Sequence, residues 1–424
     1  MRTVKFDLVF SLALAALALF VGYFVQRRVP FLSRANVPAA AVGGLMFAGL
    51  VLALRAWGVA GVSLNTTLRA PLQTAFFTTI GLGATFGLLR AGGWRMGFFW
   101  LLATLTAVVQ NAVGMGLAVL LGAPALLGII CGSLTLTGGP ATGQAWEARF
   151  AELGVEGAGS LIIASALFGI FVSSLVANPV VTALIRRRGL AREGGAVAEV
   201  RSGEEEFWAL SPTVAPEELD EGPRERTSKN DEPGLGAGVV LHNLLLVLVV
   251  MGAGAALSHL TRNSTFILPD YIWAMVVASA ARNVDDRTGW LRLDARGVNV
   301  VAAVALSLFL SIALMSLELW KIAGLALPML VILCAQVLVT VAYALLVTFT
   351  LMGRDYEAAV TASGHIGFGL GITANAVANM EALVERFAPA PRSFLVVPVV
   401  GAFFIDFSNA LVIGLFVNLY TYWK

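Results

Sequence analysis

Long apolar runs alternate with short polar connectors through most of the chain. A helix that crosses the hydrocarbon core of a bilayer needs about 20 apolar residues. Runs of that kind lie at 7–25, 38–55, 71–89, 97–121, 158–185, 236–259, 267–281, 298–317, 324–351 and 393–420. They predict about ten transmembrane helices. The seventh pattern is the weakest, since Pro269 and Asp270 open it and Arg282 closes it. Two further stretches, near 125–156 and 357–391, are apolar yet crowded with Gly, Thr and Asn. They predict re-entrant hairpins, because irregular backbone survives at membrane depth only where protein or water satisfies it. The first run follows Arg2 and Lys5 and has no small-residue cleavage site behind it. It is expected as a span, not as a removable leader.

Composition narrows the class. Of 424 residues 58% are hydrophobic and 13% charged, with a mean hydropathy of +0.84. A soluble domain carries about a quarter charged residues. Here 20 of the 54 charged residues fall within 186–235, and the remainder cannot wet the surface of a soluble enzyme. A net charge of +2 provides no basic face for nucleic acid. Cys131 and Cys334 both lie in apolar runs and form neither a disulfide framework nor a zinc pattern. Residues 186–235 hold 12 acidic and 8 basic residues and four prolines, so a disordered linker is expected there. With the N-terminus outside, the inner loops and this linker collect 20 Lys and Arg residues against 8 elsewhere. The positive-inside rule then places the linker in the cytoplasm and both termini outside.

The linker divides the chain into related halves, 1–185 and 236–424. A shift of 231 residues lays Pro38 on Pro269, Gly122 on Gly353, Gly138 on Gly369, Thr142 on Thr373 and Asn178 on Asn409. Each pair falls at the same place in its half: span start, hairpin approach, hairpin tip or last span. Each half has five spans and one hairpin, an odd number of crossings, so the second is expected to be inverted. The predicted fold class is therefore an all-α polytopic membrane protein with two inverted-topology repeats, each bearing a re-entrant hairpin. Inverted repeats whose broken elements meet near the midplane are typical of secondary transporters.

Candidate chemistry concentrates in the hairpins and in the last span. The first hairpin contains Thr135, Thr137, Gly138, Gly139 and Thr142 within a short stretch broken by Pro140. Glycine admits close approach of backbone to a ligand, and hydroxyls both donate and accept. The alternative is that these small residues only pack hairpin against helix. The second hairpin carries His365, then Gly367, Gly369 and Gly371 in alternation, then Thr373, Asn375 and Asn379. No strand precedes the glycines, so a dinucleotide fingerprint is excluded. His365 is either a titrating group or a neutral hydrogen-bonding spacer. Asp406 lies well inside the last apolar run, with Asn409 three residues on, on the same helical face. An ionisable group at membrane depth marks a functional site by default. Asp406 and Asn409, with the freed backbone at Gly367, suit Na⁺, or H⁺ if the carboxylate takes up the proton. A structural acid bonded to a neighbouring hydroxyl is the alternative. Gln110 and Asn111 belong either to the substrate cavity or to a polar helix contact.

At these positions the chain resembles the bacterial sodium/glutamate symporter family. The likeness is carried by Thr79-Ile80-Gly81-Leu82, Leu89-Arg90-Ala91-Gly92-Gly93, Gln110-Asn111-Ala112, Thr135 to Gly139 and Ala145-Trp146. It is strongest from Gly364-His365 through Gly367-Phe368-Gly369-Leu370-Gly371 and Ala378-Asn379-Met380 to Gly401-Ala402-Phe403-Phe404-Ile405-Asp406 and Asn409. The resemblance implies Na⁺ as coupling ion, L-glutamate as substrate, a homodimer in the bacterial inner membrane and elevator-type alternating access. The first half departs from the family pattern. Gly138-Gly139-Pro140-Ala141-Thr142 stands for Gly-Gly-His-Gly-Thr, Pro38-Ala39-Ala40 for Pro-Glu-Pro, and Arg69-Ala70-Pro71 for Arg-Asp-Pro. Ala141 accepts positive φ less readily than glycine. Three functions follow as expectations: Na⁺/glutamate symport, transport of another organic anion or coupling to H⁺ on the same fold, and, remotely, an intramembrane enzyme using Asp406 and His365.

Overall fold

Helices form along the long apolar runs and end where a residue cannot continue them. A computed structural model describes residues 3–59, 61–190, 236–261, 268–321 and 323–423. The first half comprises α1 (Leu8–Arg28), α2 (Ala39–Ala56), α3 (Arg69–Gly83), α4 (Phe86–Leu120), α5 (Ala125–Ile129), α6 (Gly139–Glu152) and α7 (Ala158–Arg188). The second comprises α8 (Ala237–Thr261), α9 (Asp270–Thr288), α10 (Ala295–Met315), α11 (Ala326–Tyr343), α12 (Tyr356–Leu370), α13 (Thr373–Arg386), α14 (Pro391–Val399) and α15 (Ile405–Trp423). One-turn π segments extend α5 (Ile130–Leu134) and α11 (Ala344–Thr348), and a third, Val400–Phe404, joins α14 to α15. α2 and α9 both open directly after a proline, Pro38 and Pro269, whose φ is −57° in each case. The expected linker lies outside the described residues from 191 to 235.

Among the described residues eight helical stretches are long and apolar enough to cross a membrane. Two of the ten expected spans fall short of that standard. The third is interrupted at Ala84, which leaves α3 with 15 residues. The seventh, α9, is burdened by Asp270, Arg282, Asp285, Asp286 and Arg287. Each expected hairpin is a helix, a break and a second helix. In the first, Gly138 precedes α6 and Pro140 occupies its first turn, where a missing N–H costs no helical bond. The left-handed residue of that tip is Gly139 (φ 67°), and Ala141 lies inside α6. The departures from the family pattern at 140 and 141 are therefore sterically accommodated.

The helices pack as two bundles, each drawing on both halves of the chain. One contains α1, α2, α3, α8, α9 and α10, and α3 packs against both α9 and α10. The other, the hairpin bundle, contains α4 to α7 and α11 to α15, with α12 against α13 and α7. Its core is the largest apolar cluster and includes Phe99, Ile130, Phe150, Ile162 and Phe368. The chain crosses between bundles at residues 84–86, through the linker, and at the 3₁₀ turns Leu319–Lys321 and Ala323–Leu325. At the rim of the six-helix bundle the Arg296 side chain beside Asp294 holds that carboxyl below the usual carboxylate range.

Polar bonds across the seam are concentrated on α6. Arg69 of α3 donates to the Gln144 carbonyl at 3.1 Å and side-chain oxygen at 2.7 Å, and pairs with Glu147. The Trp146 indole donates to the Tyr271 hydroxyl at 2.9 Å, and Tyr271 lies against Phe77 with ring centroids 4.2 Å apart. Arg69 and Glu147 are 19% and 26% exposed, so removing one charge strands the other in a largely apolar seam. Arg69→Met is expected to cost about 1–3 kcal/mol. Glu147→Gln in the same chain should recover part of that loss, as a coupled pair requires. Thermal melts of the two single variants and the double variant in detergent measure the coupling.

Candidate functional site

The two hairpin breaks face one another inside the hairpin bundle. A Cβ placed on Gly139 would meet Ile372 Cγ2 at 3.1 Å and the Gly371 carbonyl at 3.8 Å. Gln110, fully buried in α4, bridges the tips. Its Oε1 accepts from the Thr137 hydroxyl at 2.7 Å, and its Nε2 donates to the Gly369 carbonyl at 2.7 Å and to Thr340 Oγ1 at 3.0 Å. The Gln110 carbonyl in turn accepts from Gln336 Nε2 at 2.6 Å. Both ends of the amide are thus committed, and Gln110 acts as a strut between hairpins.

A second convergence surrounds Ser133, where α5 has given way to the π segment and Gly132 leaves helical geometry (φ −103°, ψ −140°). The Ser133 amide donates to Asn111 Oδ1 at 2.9 Å, and its carbonyl accepts from Asn409 Nδ2 at 2.9 Å. These bonds fix the orientation of both asparagine amides. What remains without a partner is Asn409 Oδ1, Ser133 Oγ and Asn111 Nδ2. Thr135 is tied into the same turn, donating to the Ile130 carbonyl at 2.5 Å beside Ser165 at 2.6 Å. Unpartnered buried polar atoms are costly and are rare without a purpose. Two of these three are oxygens of the hard kind that bind small cations.

The second hairpin makes the corresponding contacts with α7. Asn375 donates to Ser174 Oγ at 2.6 Å and to the Ile170 carbonyl at 3.2 Å, leaving its Oδ1 unpartnered. Asn379 donates to the Ser173 carbonyl and accepts from Asn178, both at 3.4 Å. Asn178 and Asn409 are mates at the 231-residue offset, so each half's last span reaches the opposite half's hairpin. Thr373 donates to the Gly401 carbonyl in the third π segment at 2.7 Å. Gly371 lies beside Ser173, and Thr142 packs its methyl against Gly138.

The geometry gives several of the expected site residues intramolecular partners. The Gly138 and Gly139 amides do not await a carboxylate, since they already donate to the Ser133 and Thr135 carbonyls at 2.9 and 3.0 Å. Gly369 contributes a carbonyl to Gln110. The Ala376 backbone fills the space where a Cβ on Gly367 would lie, so this glycine serves close packing of α12 on α13. Asp406 is partly exposed and turned toward the seam, within electrostatic reach of Tyr271, while Asn409 turns to Ser133. His365 is buried among Phe99, Tyr343 and Phe368, whose ring centroids lie 5.2–5.9 Å away. Its Nε2 meets Thr106 Oγ1 at 3.1 Å and its Nδ1 meets Thr348 Oγ1 at 2.8 Å. Thr106 already donates to the Leu102 carbonyl, so the network assigns the ring proton to Nε2. The geometry is that of a neutral spacer.

Ser133, Gln336, Thr340 and Asn178 were not among the expected site residues. Gln336 was accessible as a lone amide in the apolar run of α11, and Asn178 as the repeat mate of Asn409. Ser133 carried no signal beyond its neighbours.

Broken helices that meet within an apolar jacket, with eight stretches long and apolar enough to cross a membrane among the described residues, fit a polytopic membrane protein. Family comparison agrees. The model of the family described as sodium/glutamate symporter matches residues 4–389. The sodium/glutamate symporters of Escherichia coli (strain K12) and Shigella flexneri are each 38% identical to this chain over 418 residues, covering 97% of it and 98% of the relative. That of Haemophilus influenzae is 36% identical over 406 residues, 94% of each chain. The chain belongs to the sodium/glutamate symporter family.

The strut carries its own test. Gln110→Met preserves length but strands the Thr137 hydroxyl and the Gly369 carbonyl in the interior. An unmet buried group costs about 1–3 kcal/mol, so a clear fall in melting temperature is expected. Gln110→Glu retains the acceptor for Thr137 but sets a carboxyl oxygen against the Gly369 carbonyl and buries a charge, so it should lose at least as much as Gln110→Met.

Proposed function

We propose that this protein takes up L-glutamate by symport with Na⁺, the activity named for the relatives that match nearly its whole length. One observation carries the reading at the level of residues: Asn409 Oδ1 and Ser133 Oγ are buried, unpartnered and gathered about one break. Na⁺ between them would satisfy both. A carboxylate could take the Ser133 hydroxyl proton but would leave Asn409 Oδ1, an acceptor only, unsatisfied. Na⁺ bound there would also hold the first hairpin to the last span. Glutamate then occupies the space between the tips, drawing on Thr137, Thr142, Thr373, Asn375 and Asn379 once Gln110 yields.

In this reading the halves are inverted repeats and the hairpins are re-entrant. The hairpin bundle moves against the six-helix bundle, which forms the contact of a homodimer. The protein lies in the bacterial inner membrane with both termini outside and the central linker in the cytoplasm. The division into two bundles with few bonds across their seam supports the elevator form of alternating access.

Labelled glutamate should accumulate in proteoliposomes under an inward Na⁺ gradient and not under a proton gradient alone. Uptake of another small organic anion in its place would move the assignment within the same fold. Ser133→Ala removes a hydroxyl that has no partner without Na⁺, so stability in Na⁺-free buffer should not fall. The Na⁺ concentration for half-maximal uptake should rise about tenfold, which corresponds to about 1.4 kcal/mol for a lost bond to a charged species. Unchanged Na⁺ activation would remove Ser133 from the cation site.

A further inference from the structure

The crossing between bundles at residues 84–86 is built differently from a loop. α3 ends at Gly83, and Thr85 caps the next helix by accepting from the Gly87 amide at 3.1 Å. Helical residues 86–92 follow, and the helix then breaks again at Gly93 (φ 59°, ψ −155°) before the apolar span begins. A short rigid segment thus lies between two joints. Its near end is gripped by one stripe of α9. Ser279 Oγ and Asn283 Nδ2 both donate to the Ala84 carbonyl at 3.1 Å. Asn283 Oδ1 accepts from the Phe86 amide at 2.7 Å, and Asp286 accepts from the Thr85 hydroxyl. Asp286 is itself held by Arg282 at 2.9 Å. Residues 279, 283 and 286 share a helical face, so a single element of the six-helix bundle satisfies the polar groups freed at the break.

A half-open pocket of about 270 Å³ is lined by Thr85, Gly87 and Leu88 of this segment, by Val298 and Asn299 of α10, and by Phe403 of the hairpin bundle. The open space beside the segment leaves room for it and Phe403 to shift. Gly93 adds an independent sign. Its backbone conformation is one that essentially only glycine adopts, although a Cβ there would touch nothing within 4 Å. Glycine is required at this point by backbone geometry alone, as a joint requires.

We propose that residues 86–92 form a connecting rod between the bundles, and that Ser279, Asn283 and Asp286 are positioning residues that fix its pivot during transport. The inference rests on the proposed transport cycle but assigns no ligand to these residues. The second described crossing has no equivalent rod: it consists of 3₁₀ turns, with Arg55 stacked 4.0 Å over Trp320.

The test separates binding from movement in the full chain. In proteoliposomes Gly93→Ala and Asn283→Ala should each lower the turnover of Na⁺-driven glutamate uptake at least fivefold. The Kd for glutamate in detergent should stay within twofold of wild type. Asn283→Asp keeps the acceptor for the Phe86 amide and should lose less turnover than Asn283→Ala. Wild-type turnover in both alanine variants, or a Kd raised by the same factor as turnover falls, would overturn the rod. Hydrogen exchange provides a readout that needs no substrate. The Phe86 amide should exchange faster in Asn283→Ala, and unchanged exchange would overturn the clasp even if Gly93→Ala failed to fold. If the wild type takes up no glutamate under any Na⁺ gradient, it is the transport assignment that fails, and the exchange result still decides the clasp.

Discussion

Every break in a helix frees backbone donors and acceptors, and in an apolar interior only the protein's own polar atoms can take them up. The hairpin bundle is organised by this demand. Asn111 and Asn409 take the two backbone groups of Ser133. Gln110 takes the Gly369 carbonyl, and Thr373 that of Gly401. Amides and hydroxyls suit the task because each presents a donor and an acceptor without carrying a charge into the interior. The cost of burying them is repaid only if both ends find partners, and at a few atoms one end does not. Those atoms mark where a transported species would complete the network.

The same arrangement explains why so few bonds cross the seam. Most polar groups in the hairpin bundle are satisfied within it, so the bundle is largely self-contained. Its attachment to the six-helix bundle relies on α6, on the α9 grip at residues 84–86 and on apolar contact. Apolar contact is non-directional and tolerates sliding more readily than a lattice of hydrogen bonds. The few directional bonds, from Arg69, from Trp146 and from Asn375 to the Ala35 carbonyl at 3.4 Å, therefore set which relative position is held.

Much of this fold could be read from the sequence, because span length and turn chemistry are local. The prolines at 38 and 269, the glycine-rich breaks and the polar last span all mark real boundaries. What escaped was non-local. Asn409 was visible as a polar residue at depth, but its partner lies 276 residues earlier. The adjacent Asp406 drew more attention, yet it turns to the seam. Gln110 showed its polarity but not that its two ends serve two hairpins. The break at Ala84 was hidden because the apolar run continues through it, and only the α9 side chains make the break affordable. Alternation of glycine at 367, 369 and 371 suggested one ligand-facing surface, but each glycine answers a different neighbour.

The Ser133 contact has a consequence for how the protein comes to be made. The first hairpin leaves the ribosome long before α15, which supplies Asn409. Throughout that interval the Ser133 carbonyl has no native side-chain partner, and the Gly369 carbonyl that ties Gln110 to the second hairpin does not yet exist. The hairpin bundle cannot close as the chain is inserted stepwise; it must assemble around its own beginning after its end has arrived. Contacts of such long sequence separation are slow to form. A chain truncated before its last span would keep its helices but leave an open polar seam at membrane depth, which distinguishes an unfinished molecule from a finished one.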